Sequence, residues 1–292
     1  MSTAPTIHST PPAGAEPRPQ VIDSGKVGFS DLGASLRELW HSREVVQAFA
    51  TRAVKVKYKQ TAIGLAWVIL QPVLAAIVFA IVFGRVAGVS AGGETYLLIA
   101  LSGTVAWTFF STAASSSMDS LVDDQHLLRK VYFPREALPL AAVGAALVDL
   151  APGLVVLVVA VLVDGGKVSL SWLTVPVLIL LLIAAVTTLG LFFSAVNVFY
   201  RDVKHALPFA LQLGFFASAV FYPLEILPES WRSIYAVLNP VVAAIDGLRS
   251  ALLKNALPDV GVTLAAFAWT GILLVLAYFM FKRLERSFTD RV

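Results

Sequence analysis

Very little in this sequence is equipped to make or break a covalent bond. There is no cysteine, which removes disulfides, thiolate metal sites and cysteine nucleophiles. The four histidines, His8, His41, His126 and His205, are isolated, with no pair at metal-ligand spacing, so no resident metal is expected. No G-x-x-x-x-G-K-[ST] run occurs, because Gly25-Lys26 and Gly166-Lys167 are each followed by valine. Asp123 and Asp124 with His126 are the one acid–imidazole grouping a transferase could use, and a solvated helix start explains them more simply. What this stretch offers instead is a surface. In "DDQHLLRKVYFPRE", residues 123–136, Leu127, Leu128, Val131 and Phe133 make one face of a short helix, with His126, Arg129 and Lys130 around it. Tyr132, Phe133, Pro134 and Arg135 then form an aromatic-proline corner. Read as a linker, the stretch only supplies positive charge; exposed Tyr and Phe are of more use at an interface.

The elements that carry this patch are set by composition. Of 292 residues, 58% are hydrophobic and 14% charged, against roughly 25% charged in soluble domains, and the mean hydropathy is +0.79. That leaves too little polar surface to cover a soluble fold, so the chain reads as an all-α integral membrane protein. Six segments have the ~20 apolar residues that a ~30 Å hydrocarbon core requires: 62–84, 95–118, 137–163, 171–200, 206–224 and 260–281. Pro72, Pro139, Pro152, Pro176, Pro208 and Pro223 fall in them, predicting kinks or helix ends that neighbouring helices accommodate. The expected organisation is a Pro- and Ala-rich tail over 1–29 without order of its own, a cytoplasmic helix and basic run over 30–60, a six-span domain over 61–282 and a cytoplasmic tail over 283–292.

With both termini on one side, that side holds 17 of the 22 lysines and arginines, which makes it the cytoplasm. Three segments do not span. Leu32, Leu36, Leu39, Trp40, Val46 and Phe49 recur at helical spacing with Arg37 and Arg43 largely elsewhere on the wheel; this predicts an amphipathic helix in the membrane interface, or a helix packed on a soluble partner. Arg52, Lys55, Lys57 and Lys59 follow as a polybasic anchor for anionic lipids, a run too short and too close to the bilayer to suit nucleic acid. On the outer side, residues 225–259 hold Trp231 and Tyr235, a break at Asn239-Pro240, and an apolar stripe beside Asp246 and Arg249 at i, i+3. They read as two short re-entrant helices between spans five and six, or as a surface hairpin.

In this order, "GLAWVILQPV", "LLRKVYFPRE", "VNVFYRDV" and "LNPVVAAIDGLRSALL" resemble the membrane subunit of ABC transporters that export polysaccharides of the O-antigen, teichoic-acid and galactan type. The resemblance covers about residues 32–285. It implies a homodimer in the bacterial inner membrane, two copies of a separate ATPase that binds the ATP and Mg, and a lipid-linked polysaccharide as cargo. It makes the 123–135 loop (Asp123, Asp124, His126, Leu127, Arg129, Lys130, Tyr132, Phe133, Pro134, Arg135) the coupling helix, and the segment of Leu36, Arg37, Trp40, Arg43 and Phe49 a second contact with the ATPase. It makes Trp67, Phe79, Phe83, Phe215, Phe216, Phe221 and Tyr222 candidates to meet sugar rings in a channel between subunits. Trp231, Tyr235, Asn239, Pro240, Asp246 and Arg249 become an outer gate. Asp149, ionisable within a span, is a functional hypothesis by default; helix packing is the role expected of it, with proton transfer as the alternative. A proton-coupled carrier would need ionisable residues along a path, and one Asp is thin for that. A passive channel is compatible with the composition.

Overall fold

A computed structural model describes residues 37, 40–59, 65–86, 88, 95–128 and 133–288, and the regular structure among them is entirely helical. Helix α1 is Arg43–Lys59; α2, Leu65–Phe79, continues as a π-helical segment, Ala80–Val86; α3 is Tyr96–Asp123 and α4 the short Gln125–Leu128. Then come α5 (Ala137–Val163), a 3₁₀ turn (Leu170–Thr174) leading into α6 (Val175–Phe199), and α7 (Val203–Ala217). A pair of short helices follows, α8 (Glu229–Leu238) and α9 (Pro240–Leu252), and then α10 (Val260–Glu285).

Helix α3 is the axis of the bundle, packed against α2, α5, α6, α7 and α9. Its small residues allow close approach where lipid tails give helices no reason to associate. At Gly190 of α6, an added Cβ would come within 2.7 Å of the Ser117 Cβ. The Ser117 hydroxyl donates to the Pro139 carbonyl at 2.9 Å and the Thr104 hydroxyl to the Pro72 carbonyl at 3.1 Å. Two of the proline-bearing helices are thus tied to α3 through hydroxyls that bond the prolines' own carbonyls. Pro176 lies in the first turn of α6, where its missing N–H costs nothing.

Five helices among the described residues are long and apolar enough to cross a bilayer: Ala66–Val86, Tyr96–Asp123, Ala137–Val163, Leu170–Phe199 and Val260–Glu285. The segment 206–224, expected to span in full, forms a helix only to Ala217, so that α7 is about 22 Å long at 1.5 Å per residue. Ser218, Ala219, Val220 and Phe221 are buried, Ala219 is left-handed at φ 51°, and the turn seats itself on α3. There the fit depends on Gly103, whose added Cβ would lie 1.9 Å from the Val220 carbonyl oxygen. Gly103→Ala is expected to push the turn off α3 and lower the thermal midpoint of the detergent-solubilised protein, at about 1–3 kcal/mol for an overpacked contact. Gly271→Ala, where a Cβ meets nothing within 4 Å, serves as the control. Equal midpoints for the two variants would refute the close seat.

Levels along the bundle follow from cross-links. The Thr95 hydroxyl donates to Asp164 at 2.7 Å, so α3 begins where α5 ends. Asp149 lies 15 residues before Asp164, about 22 Å along the helix, toward the opposite side of a ~30 Å core. Helix α1 packs along the lower half of α5: Ala50 faces Gly144, with 3.6 Å between the Ala50 Cβ and one added at the glycine, and Lys57 and Tyr58 reach Asp149. None of its residues is fully buried. The end of the segment expected at the membrane surface and the basic run expected as a lipid anchor thus form one helix, fastened to the bundle along one edge.

Candidate functional site

At the end of the bundle where α3 connects to α5, the loop that begins at Asp123 is held on both sides. Before it, Arg52 of α1 donates to Asp124 at 3.1 Å. After it, Phe133 is buried against Phe49 of α1, ring centroids 5.1 Å apart. Arg135 then donates to the Glu285 carbonyl at 3.0 Å and lies over the Phe288 ring at 5.6 Å. Glu136, at 1% exposure, accepts from the Tyr278 hydroxyl at 3.2 Å and from Lys282 at 2.8 Å. Between these anchors Asp123 and His126 are exposed, while Leu127 packs on the cluster of Leu121, Phe133 and Phe281. Arg129, Lys130 and Tyr132 lie outside the described residues, as does Leu36 of the preceding amphipathic segment. In that segment Arg37 and Trp40 are exposed, and Arg43 sits over the Trp40 ring at 5.7 Å. Pro134 is half-buried at the turn into α5. Sequence patterning treats the amphipathic helix and the loop as separate devices; the fold makes them neighbours.

The aromatic residues at the other end divide. Phe79, Phe83, Phe215, Phe216 and Phe221 form one cluster with centroids 5.0–6.0 Å apart, and Tyr222 joins it through Phe221 at 5.2 Å. Phe221 is 9% exposed and Phe216 55%, so the cluster has a buried root and an open edge. Trp67 stands apart, at the far end of α2 and half exposed.

The residues expected on the outer side are organised by Arg249, which is 3% exposed. Its guanidinium donates to the carbonyls of Val220 (2.8 Å), Tyr222 (2.9 Å) and Ile99 (3.0 Å), and to the Ser102 hydroxyl (3.2 Å). This is what lets a non-helical turn exist in a dry bundle, since unpaired backbone groups are tolerated there only when protein satisfies them. Tyr235 donates to the Ala217 carbonyl, and Asn239 reaches the same carbonyl at 3.3 Å and Ser218 at 3.0 Å. The Asn239 side-chain oxygen also caps α9 by accepting from the Val241 N–H at 3.2 Å, with Pro240 as the first helical residue. Trp231 alone of this group faces outward. The i, i+3 spacing of Asp246 and Arg249 points to a pair on one face; the arginine instead fans its donors into the turn.

Asp149 has two partners that its sequence context does not announce. Lys57 meets one carboxylate oxygen at 2.5 Å and the Tyr58 hydroxyl donates to the other. Burial, and then Asp149 itself, push the Tyr58 phenol well above the ordinary tyrosine range, which keeps it a donor. The packing role expected of Asp149 is thus an attachment of α1 to α5. Lys57, read as one more lipid-facing cation, is its counter-charge.

A family model described as the ABC-2 type transporter matches residues 44–253, which takes in α1 through α9. Among curated proteins, the O-antigen export system permease protein RfbA of Myxococcus xanthus is 28% identical over 258 residues, 88% of this chain and 98% of that protein. Its namesake in Klebsiella pneumoniae is 26% identical over 251 residues, 85% and 94% of the two chains. The polysialic acid transport protein KpsM of Escherichia coli is 21% identical over 244 residues, 83% and 94%. Near full-length correspondence with permeases, on a bundle that keeps its charged loop fixed at both ends, leads to one conclusion: the chain belongs to the ABC-2 type transporter family.

Proposed function

We propose that the chain is the permease subunit of an ATP-driven exporter that moves a lipid-linked polysaccharide from the cytoplasm to the outer face of the bacterial inner membrane. ATP and Mg are bound by two copies of a separate ATPase, and two copies of this chain form the path. Both termini are cytoplasmic, and α7 with the buried turn and outer hairpin completes a sixth crossing. One observation carries the coupling role: the 123–135 loop is pinned before by Arg52–Asp124 and after by Arg135 on α10. A push on such a loop is delivered to α1, α5 and α10 together instead of being lost in a slack linker. Support for the dimer comes from the apolar faces that α2 and α7 leave open, with Trp67, Leu74, Val78, Leu213 and Phe216 all about half exposed. The edge of the aromatic cluster lies on that face, and aromatic rings suit sugar C–H surfaces without fixing one linkage.

The test is purification of the tagged chain from its native membranes in mild detergent. A stoichiometric ATPase is expected with the natural chain and is expected to be lost in Arg129→Glu/Lys130→Glu. Arg135 is left alone, because its bond to the Glu285 carbonyl would confuse lost docking with a damaged fold. An ATPase that stays with the reversed loop would move coupling elsewhere; none in either preparation would remove the exporter reading.

A further inference from the structure

A cavity of about 220 Å³ lies between α1, α2, α3 and α5, at the level where α2 begins. Its polar wall is Asp149, Lys57 and Tyr58, with Gln71, Thr108 and Thr112 also lining it, and the half-exposed Trp67 borders it. It sits about 22 Å below the outer end of α5 by helix rise, toward the inner leaflet. A second cavity lined in part by the same Lys57, Thr112 and Asp149 runs down between α1 and the bundle to Asp123 and Asp124. The charged pair therefore stands between a cytoplasm-facing groove and the open face of α2. We infer that this cavity is a binding subsite for one neutral sugar ring bearing adjacent hydroxyls, the part of a lipid-linked glycan nearest its anchor; this rests on the export function proposed above.

The chemistry selects that ligand. Asp149 and Lys57, 2.5 Å apart, present an acceptor and a donor side by side. A vicinal diol offers the complementary donor and acceptor at about one hydrogen-bond length. Each carboxylate oxygen keeps a further lone pair after its bond to Lys57 or Tyr58, and the ammonium keeps further hydrogens. An anionic headgroup would meet one lysine already matched by a carboxylate, hence no net positive charge. A bare acyl chain would bury the remaining hydrogen-bonding capacity of this polar wall unused, at a cost. Trp67 supplies the apolar face on which a ring can stack. The volume falls below the roughly 300–1,000 Å³ of drug-sized sites, which suits one ring and not a repeat unit.

The test uses the full chain in phosphatidylcholine nanodiscs without ATPase, titrated with three octyl amphiphiles: octyl β-galactoside, octyl phosphate and the octyl ether of tetraethylene glycol. The readout is tryptophan fluorescence, with Trp67→Phe identifying the reporter. Expected is a saturable response to the galactoside alone, absent in Trp67→Phe and roughly tenfold weaker in Asp149→Asn, as for one lost hydrogen bond to a charged group. Gln71→Ala, which leaves the α1–α5 attachment intact, should also weaken it. An equal response to the glycol ether means mere chain partitioning and overturns the inference. So does a response to octyl phosphate that survives Asp149→Asn, or none to the galactoside. Because binding is read without the ATPase, a chain that copurifies with its ATPase yet ignores the galactoside sinks only the subsite. One that binds the galactoside but has no ATPase sinks the exporter reading.

Discussion

Arg249→Met is expected to leave little correctly folded protein, and Arg249→Lys to recover only part of it. Two of the four acceptors Arg249 serves, the Val220 and Tyr222 carbonyls, belong to a turn with no helix to satisfy them. Leaving a buried acceptor unpaired costs about 1–3 kcal/mol, so the turn alone stands to lose about 2–6 kcal/mol on that principle, a large share of a domain's total stability. Lysine restores the charge but replaces a planar fork of donors with a single point, and one ammonium cannot span acceptors from Ile99 to Tyr222. The measurement is the thermal midpoint in detergent, followed by surface display of the glycan in cells. Asp246→Asn is the informative contrast. If Arg249 worked mainly as the partner of Asp246, removing that carboxylate would match removing the arginine. The carbonyl-directed geometry predicts a much smaller loss. Arg249→Met with an unchanged midpoint would overturn the account of the turn.

The same turn marks the limit of what pattern reading can deliver. Residues 218–221, Ser-Ala-Val-Phe, are as apolar as a spanning helix, so composition carries the fifth segment on to Leu224. What stops the helix is a pocket assembled at long range: Gly103 on α3 clears the space, and Arg249 lies 29 residues beyond Val220 in sequence. Helices α3, α5, α6 and α10 were legible because bilayer thickness imposes a long apolar run on each. The break between α3 and α5 was legible because the charged residues from Asp123 are conspicuous against that background. Partnerships were not. Lys57 resembles every other cation in its run, and only the climb of α1 along α5 selects it for Asp149. Six of the seven aromatic candidates converge, since aromatic side chains at the ends of α2 and α7 have few other places to pack. Trp67 does not, because it sits at the opposite end of α2, and it there borders the cavity that Asp149 closes.

Lys282→Met is expected to cost about 3–5 kcal/mol, the usual penalty for stranding one member of a buried ion pair, and adding Glu136→Gln should return part of it, because Glu285, 3.0 Å from the same ammonium, lacks the lysine in both variants. Glu136 is 1% exposed, and Lys282 and the Tyr278 hydroxyl are its partners. Without the lysine, a carboxylate at the foot of α5 faces protein with one phenol to bond. Glutamine removes that charge and still accepts from Tyr278, so the double variant lacks the pair but not the packing. Losses that simply add would mean the two residues are not coupled. The pair ties α5 to α10 immediately beside Arg135 and Phe288, where the 123–135 loop re-enters the bundle, so the cycle also separates holding from transmitting. If the pair only holds the helices together, the double variant recovers export along with its midpoint. A double variant that folds and keeps its ATPase but exports nothing would mean that the charge link itself carries the motion of the loop into α10.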